Sequence, residues 1–189
     1  MNYKFFFKRL ILILFRPAKA WEAIHAEDFS VARTRNYFLL PFAVLTALTA
    51  FLGSFIFTKS GLTANYSVLL GLKFFLMPII VTYASSFIVK EITYPLDLGR
   101  SYKLAFRLVN YALIPFFICL SLSLLLESLI FVNILGLFGL YIFWAGAEKM
   151  LNPLDYKKMP LLVSSAIVII SFYIAFSWFL TQVIERIYY

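Results

Sequence analysis

Residues 104–147 read LAFRLVNYALIPFFICLSLSLLLESLIFVNILGLFGLYIFWAGA, two apolar runs as long as a bilayer is thick, parted only by Glu127 and Ser128. A helix rises about 1.5 Å per residue, so roughly 20 apolar residues cross the hydrocarbon. Residues 104–126 and 129–147 both meet that length, and the short polar break between them predicts a tight antiparallel helical hairpin. A re-entrant pair that does not cross fully is the competing arrangement; it leaves three crossings and the termini on the same sides.

Outward from this hairpin, residues 37–57, 67–89 and 161–183 are three more runs of the same kind. The chain of 189 residues is 63% hydrophobic and 14% charged, with a mean hydropathy of +0.90. Soluble domains carry roughly 25% charged residues, so a soluble core of five buried helices is excluded. The alternation of an outer-membrane barrel strand is absent from these runs. The fold class is therefore all-α: a polytopic membrane bundle of five transmembrane helices over 37–189, preceded by a distinct segment, 1–36. The connections carry turn chemistry, Lys59-Ser60-Gly61, Tyr94 to Gly99 and Asn152 to Asp155, and none is long enough for a soluble domain.

Basic residues near span ends stay in the cytoplasm. Fourteen of the 17 Lys and Arg residues fall before span one, between spans two and three with the foot of span three, or between spans four and five; Lys59 and Arg186 fall on the other side, and Lys73 lies within span two. This distribution predicts a cytoplasmic N-terminus and, after five crossings, a periplasmic C-terminus. The net charge of +8 is spread over three membrane edges, which points to anionic lipid headgroups and away from nucleic acid.

In 1–36, the apolar run Leu10 to Phe15 is too short for a signal-peptide core and is bracketed by Lys8-Arg9 and Arg16. On a helical wheel Tyr3, Phe6, Phe7, Leu10, Ile11 and Leu14 share a face, and Lys4, Lys8, Arg9 and Arg16 fall elsewhere, as in a helix lying in the headgroup plane. Pro17 restarts the chain at a helix N-terminus, and Trp21 with Ile24 makes an apolar pair. Lys4, Lys8, Arg9, Arg16 and Trp21 are thus the expected membrane-surface anchors.

Polar residues inside the spans mark candidate sites. Arg107 and Asn110 share a face of span three beside Tyr111, and Glu148 lies at similar depth in the hairpin, so an Arg107–Glu148 ion pair is expected. Lys73 is placed to snorkel outward, with Glu127 the nearest acid by depth. Pro78 and Pro115 fall mid-span and predict kinks in spans two and three. Ala43, Ala47, Ala50 and Ser54, Gly136 and Gly139, and Ser171 and Ala175 offer close-packing seams. A single His25 and a single mid-span Cys119 supply neither a metal cluster nor a His-based triad, so no cofactor and no enzymatic activity are expected.

The layout resembles the Yip1 domain family, five-span membrane proteins with a cytoplasmic N-terminus and a very short exposed C-terminus. The segment Arg16-Pro17-Ala18-Lys19-Ala20-Trp21-Glu22-Ala23-Ile24 is similar to the proline and aromatic stretch before the first span of bacterial members. Residues 101–106, SYKLAF, followed by 110–115, NYALIP, are similar to the family's third-span pattern of a Tyr shortly before a Pro. Asn110 stands where eukaryotic members often carry Gly, and their acidic N-terminal motif is missing, so the resemblance is to the prokaryotic type. It implies a non-enzymatic inner-membrane protein of membrane organisation or trafficking-like role, working through protein or lipid contacts, a membrane-protein partner or a second copy of itself being the protein contacts open to it. A transporter or channel subunit with a polar path through Lys73, Asn110 and Arg107 is the alternative.

Overall fold

The computed structural model describes residues 3–57 and 64–188. The turn at Lys59-Ser60-Gly61, and the side chain of Tyr3, lie outside the described residues. Among the described residues the protein is all-α. Helix α1 (Tyr3–Phe15) packs on α2 (Pro17–Glu27); α3 (Val31–Thr34) runs through a π-helical turn (Arg35–Leu39) into α4 (Leu40–Phe57). Then come α5 (Ala64–Thr93), α6 (Tyr102–Ala112), α7 (Ile114–Leu125), a 3-10 helix (Glu127–Leu137), α8 (Phe138–Leu151) and α9 (Asp155–Tyr188). Five helical stretches are long and apolar enough to cross a membrane: Val31–Phe57, Asn65–Thr93, Tyr102–Leu125, Glu127–Leu151 and Asp155–Ile187.

These stretches outrun the apolar segments because helical hydrogen bonding does not stop where hydrophobicity does. The first begins at Val31 and not at residue 37, where Ser30 caps α3 by accepting a bond from the Arg33 backbone N–H at 3.2 Å. The π-helical turn then shifts the register so that Phe38 and Leu39, adjacent in sequence, are both buried.

The two mid-span prolines act differently. Pro78 stays inside α5, and the carbonyl of Phe74, deprived of its helical donor, accepts the Thr46 hydroxyl of α4 at 2.8 Å. Pro115 breaks its span: α6 ends at Ala112, Leu113 sits at φ −80° and ψ −9°, and the proline occupies the first turn of α7. At the break Gly139 of α8 lies so close that a Cβ there would stand 2.2 Å from the Ala112 carbonyl oxygen. The hairpin turn falls at Leu126, which is extended, and the returning limb, kinked at Leu129 (φ −94°, ψ 17°), is at first 3-10 helical and packs along α7. Its rise of about 2.0 Å per residue lets a short apolar run reach further than an α-helix would.

Span three is the axis. Every residue from Ala105 to Ala112 is buried, with α5 on one side, α8 on another and the N-terminal helices closing a third. Of the expected seams, Ala43 and Ala50 are buried and Gly136 meets Phe116, whereas Ser171 and Ala175 are exposed on α9.

Candidate functional site

The polar patch on α6 is where the N-terminal segment joins the bundle. Helix α2 presents Pro17, Ala20, Trp21 and Ile24 as one apolar stripe, and all four are buried. Trp21 is fully buried: its indole N–H donates to the Ile142 carbonyl of α8 at 2.9 Å, and its ring meets Tyr111 edge-on at 5.5 Å. Gly146, one turn further along α8, leaves the room it needs, since a Cβ there would lie 2.4 Å from the indole. Trp21 is therefore a core anchor and not the headgroup anchor its sequence context suggests.

Helix α2 ends at Asp28, whose left-handed backbone (φ 42°) is one that Asp adopts more readily than most residues. Arg107 reads this helix end. Its side chain is 1% exposed; Nε donates to the Phe29 carbonyl at 2.9 Å, and Nη2 donates to the Asp28 carboxylate at 2.9 Å and also to the Phe29 carbonyl. Lys103, one turn earlier on α6, bonds the other Asp28 carboxylate oxygen. Together Lys103 and Arg107 hold the Asp28 carboxyl below its ordinary range. Glu148 pairs instead with Lys158 at 2.7 Å, so the expected Arg107–Glu148 pair is not formed.

Tyr111, one turn beyond Arg107, also meets Phe38 at 4.9 Å; Phe38 stacks on Phe6 of α1, and Phe6 meets Phe42 of α4. This aromatic column couples the hairpin to the first span. Asn110 is buried, and its side-chain N–H group has no partner among the described residues.

Arg9 is buried as well. It donates to the Ala20 carbonyl at 3.1 Å and pairs with Glu27, closing α1 onto α2. Lys4, Lys8 and Arg16 are exposed. The α1 wheel divides in two: Phe6, Arg9 and Ile13 face the bundle, while Phe7, Ile11 and Phe15 are exposed.

Lys73 sits apart. Its ammonium donates to Thr181 of α9 at 2.7 Å and lies 5.2 Å from the Phe74 ring, and Glu127 is not its partner. Sequence reasoning missed Asp28, Gly146 and Thr46. The available signal for Asp28 was an acid just before the Ser30 cap, set against the i, i+4 cations Lys103 and Arg107.

These contacts define a polytopic α-helical membrane protein whose N-terminal helical hairpin is docked into the same core as its spans. No protein-family model, curated protein or solved structure matches the chain.

Proposed function

We propose that the protein is a non-enzymatic inner-membrane protein of the Yip1 type that organises the membrane around it through its N-terminal hairpin. In this reading the hairpin lies on the cytoplasmic face and engages anionic headgroups there, with the C-terminus periplasmic. The supporting observation is a contrast of charges. Among the described residues, the cations around the connections between spans two and three and between spans four and five are paired: Lys90 and Arg100 with Glu91, Lys103 and Arg107 with Asp28, Lys149 with Glu22, Lys157 with Asp97 and Lys158 with Glu148. Among the described residues Lys4, Lys8, Arg16 and Lys19 form no ion pair, and they flank exposed Phe7, Ile11 and Phe15. Free cations beside an outward apolar stripe are what an in-plane helix uses on an anionic leaflet, at roughly 1 kcal/mol per cation.

The test is native mass spectrometry of the full chain released from mixed phosphatidylcholine and phosphatidylglycerol discs. Retained phosphatidylglycerol should fall in a variant with Lys4, Lys8, Arg16 and Lys19 all changed to Gln. Retention unchanged from wild type contradicts the reading.

A transporter or channel subunit is the second reading. Buried polar atoms of Thr82 and Ser85 on α5, Asn110 on α6 and Ser165 on α9 that find no partner among the described residues favour it. It requires solute flux in proteoliposomes that Asn110→Leu abolishes.

A further inference from the structure

Between α7, α8 and α9 lies a cavity of about 270 Å³. Phe116 and Phe143 form one wall, Leu162 and Ile169 the other, and Val81 of α5 closes the back. Asn133 also lines it, but its amide donates to Ser123 at 3.0 Å and is already engaged. Leu137, Leu140 and Ile170 line the cavity and are themselves exposed, so its mouth opens sideways between α8 and α9. In a spanning bundle that direction is lipid, not water.

Gly136 brings the 3-10 helix hard against Phe116 of α7, and Gly139 brings α8 against Ala112 at the end of α6; Leu162 to Tyr173 of α9 line the other side of the cavity. Along α9 the lining runs from Leu162 to Tyr173, eleven residue steps, or about 16 Å. A bilayer's hydrocarbon core is about 30 Å thick, so the groove is as long as one leaflet is deep. Its lower end, Leu162, lies one helical turn from Lys158, whose ammonium is held by Glu148 and Asp155.

We propose that this groove holds one acyl chain of a lipid from the leaflet on the α1–α2 side. Recognition is of the acyl chain and not the headgroup, because among the described residues no cation lines the groove and Lys158 at its lower end is already paired. The site is independent of the surface role of the hairpin and rests only on the chain's being embedded in a membrane.

The test uses the full chain in lipid discs carrying a trace of phosphatidylcholine with a mid-chain diazirine, with labelled residues mapped by peptide mass spectrometry. Label should concentrate on Leu140 and Ile170 over Ile167 and Ile174, which are at least as exposed on α9 but lie outside the groove. Exchange of the choline headgroup for glycerol should leave the pattern unchanged. Ala166→Trp, or Ile170→Trp should the first fail to fold, fills the groove and should remove the label from Leu140 while sparing Ile174. Equal labelling of all four positions, or label on Leu140 that persists with the groove filled, overturns the proposal. So does disulfide capture of a second copy through Ile170→Cys, which would show the mouth covered by protein.

Discussion

The side of the bundle around α6 and the side around α9 are made from equally apolar helices, and they are packed in opposite ways. Of the apolar stretch in span three, 67% is buried within the protein, against 11% in span five. Around α6, polar and aromatic groups specify the contacts: Arg107 grips the end of α2, Trp21 reaches the Ile142 carbonyl, and Gly146 makes space for the indole. Helix α9 packs chiefly along α5, is pinned by the Lys73–Thr181 bond, and leaves a groove beside α8. In hydrocarbon, apolar side chains gain little by preferring protein over lipid, so hydrogen bonds and close fit decide which helices join tightly. The α6 side has both; the α9 side has few of either.

That contrast is broken most sharply by Trp21→Ala. Truncating a fully buried Trp costs about 3–5 kcal/mol, and the thermal midpoint in detergent should fall further than for any substitution on α9. Arg107→Leu comes next. A charged hydrogen bond contributes about 1.5–3 kcal/mol, and the buried Phe29 carbonyl would be left without its donor; limited proteolysis should then cut within residues 28–30. Gly146→Ala drives a methyl into Trp21 and should destabilise by about 1–3 kcal/mol in the same thermal assay. Ile174→Ala, on exposed α9, should stay within about 0.5 kcal/mol of wild type.

Acid sharpens the comparison. The Asp28 carboxyl is held below its ordinary value of 3.8 by Lys103 and Arg107. A lowered folded-state value means that its contribution is fully present above the unfolded value and is lost as pH falls through the folded one. The amide protection factors of α2, with the intrinsic pH dependence of exchange divided out, should thus be steady from neutrality to about pH 4 and fall below it, with no matching fall in α7.

The spans were legible because bilayer thickness fixes their length, whatever packs on them. The location of the polar patch was legible too, since Arg107, Asn110 and Tyr111 share a face of one helix. Its partner was not: Asp28 lies 79 residues away, and Glu148 offered the same charge at the same depth. The docking of the hairpin was hidden by α1, which is apolar on both faces, Phe6 and Ile13 inward and Phe7, Ile11 and Phe15 outward. A wheel averages those two stripes into one. Trp21 misled for a related reason, because the same amphipathic ring serves a membrane interface and a core with a carbonyl to bond.

The central claim is that α2 belongs to the core of the bundle. Hydrogen–deuterium exchange of the full chain in lipid discs tests it most directly, by comparing amides 21–27 with amides 106–112 of α6. The account predicts protection of α2 close to that of α6, lost selectively in Arg107→Leu while α6 stays protected. Exchange of α2 at the rate of a freely solvated segment in the wild-type protein would contradict it.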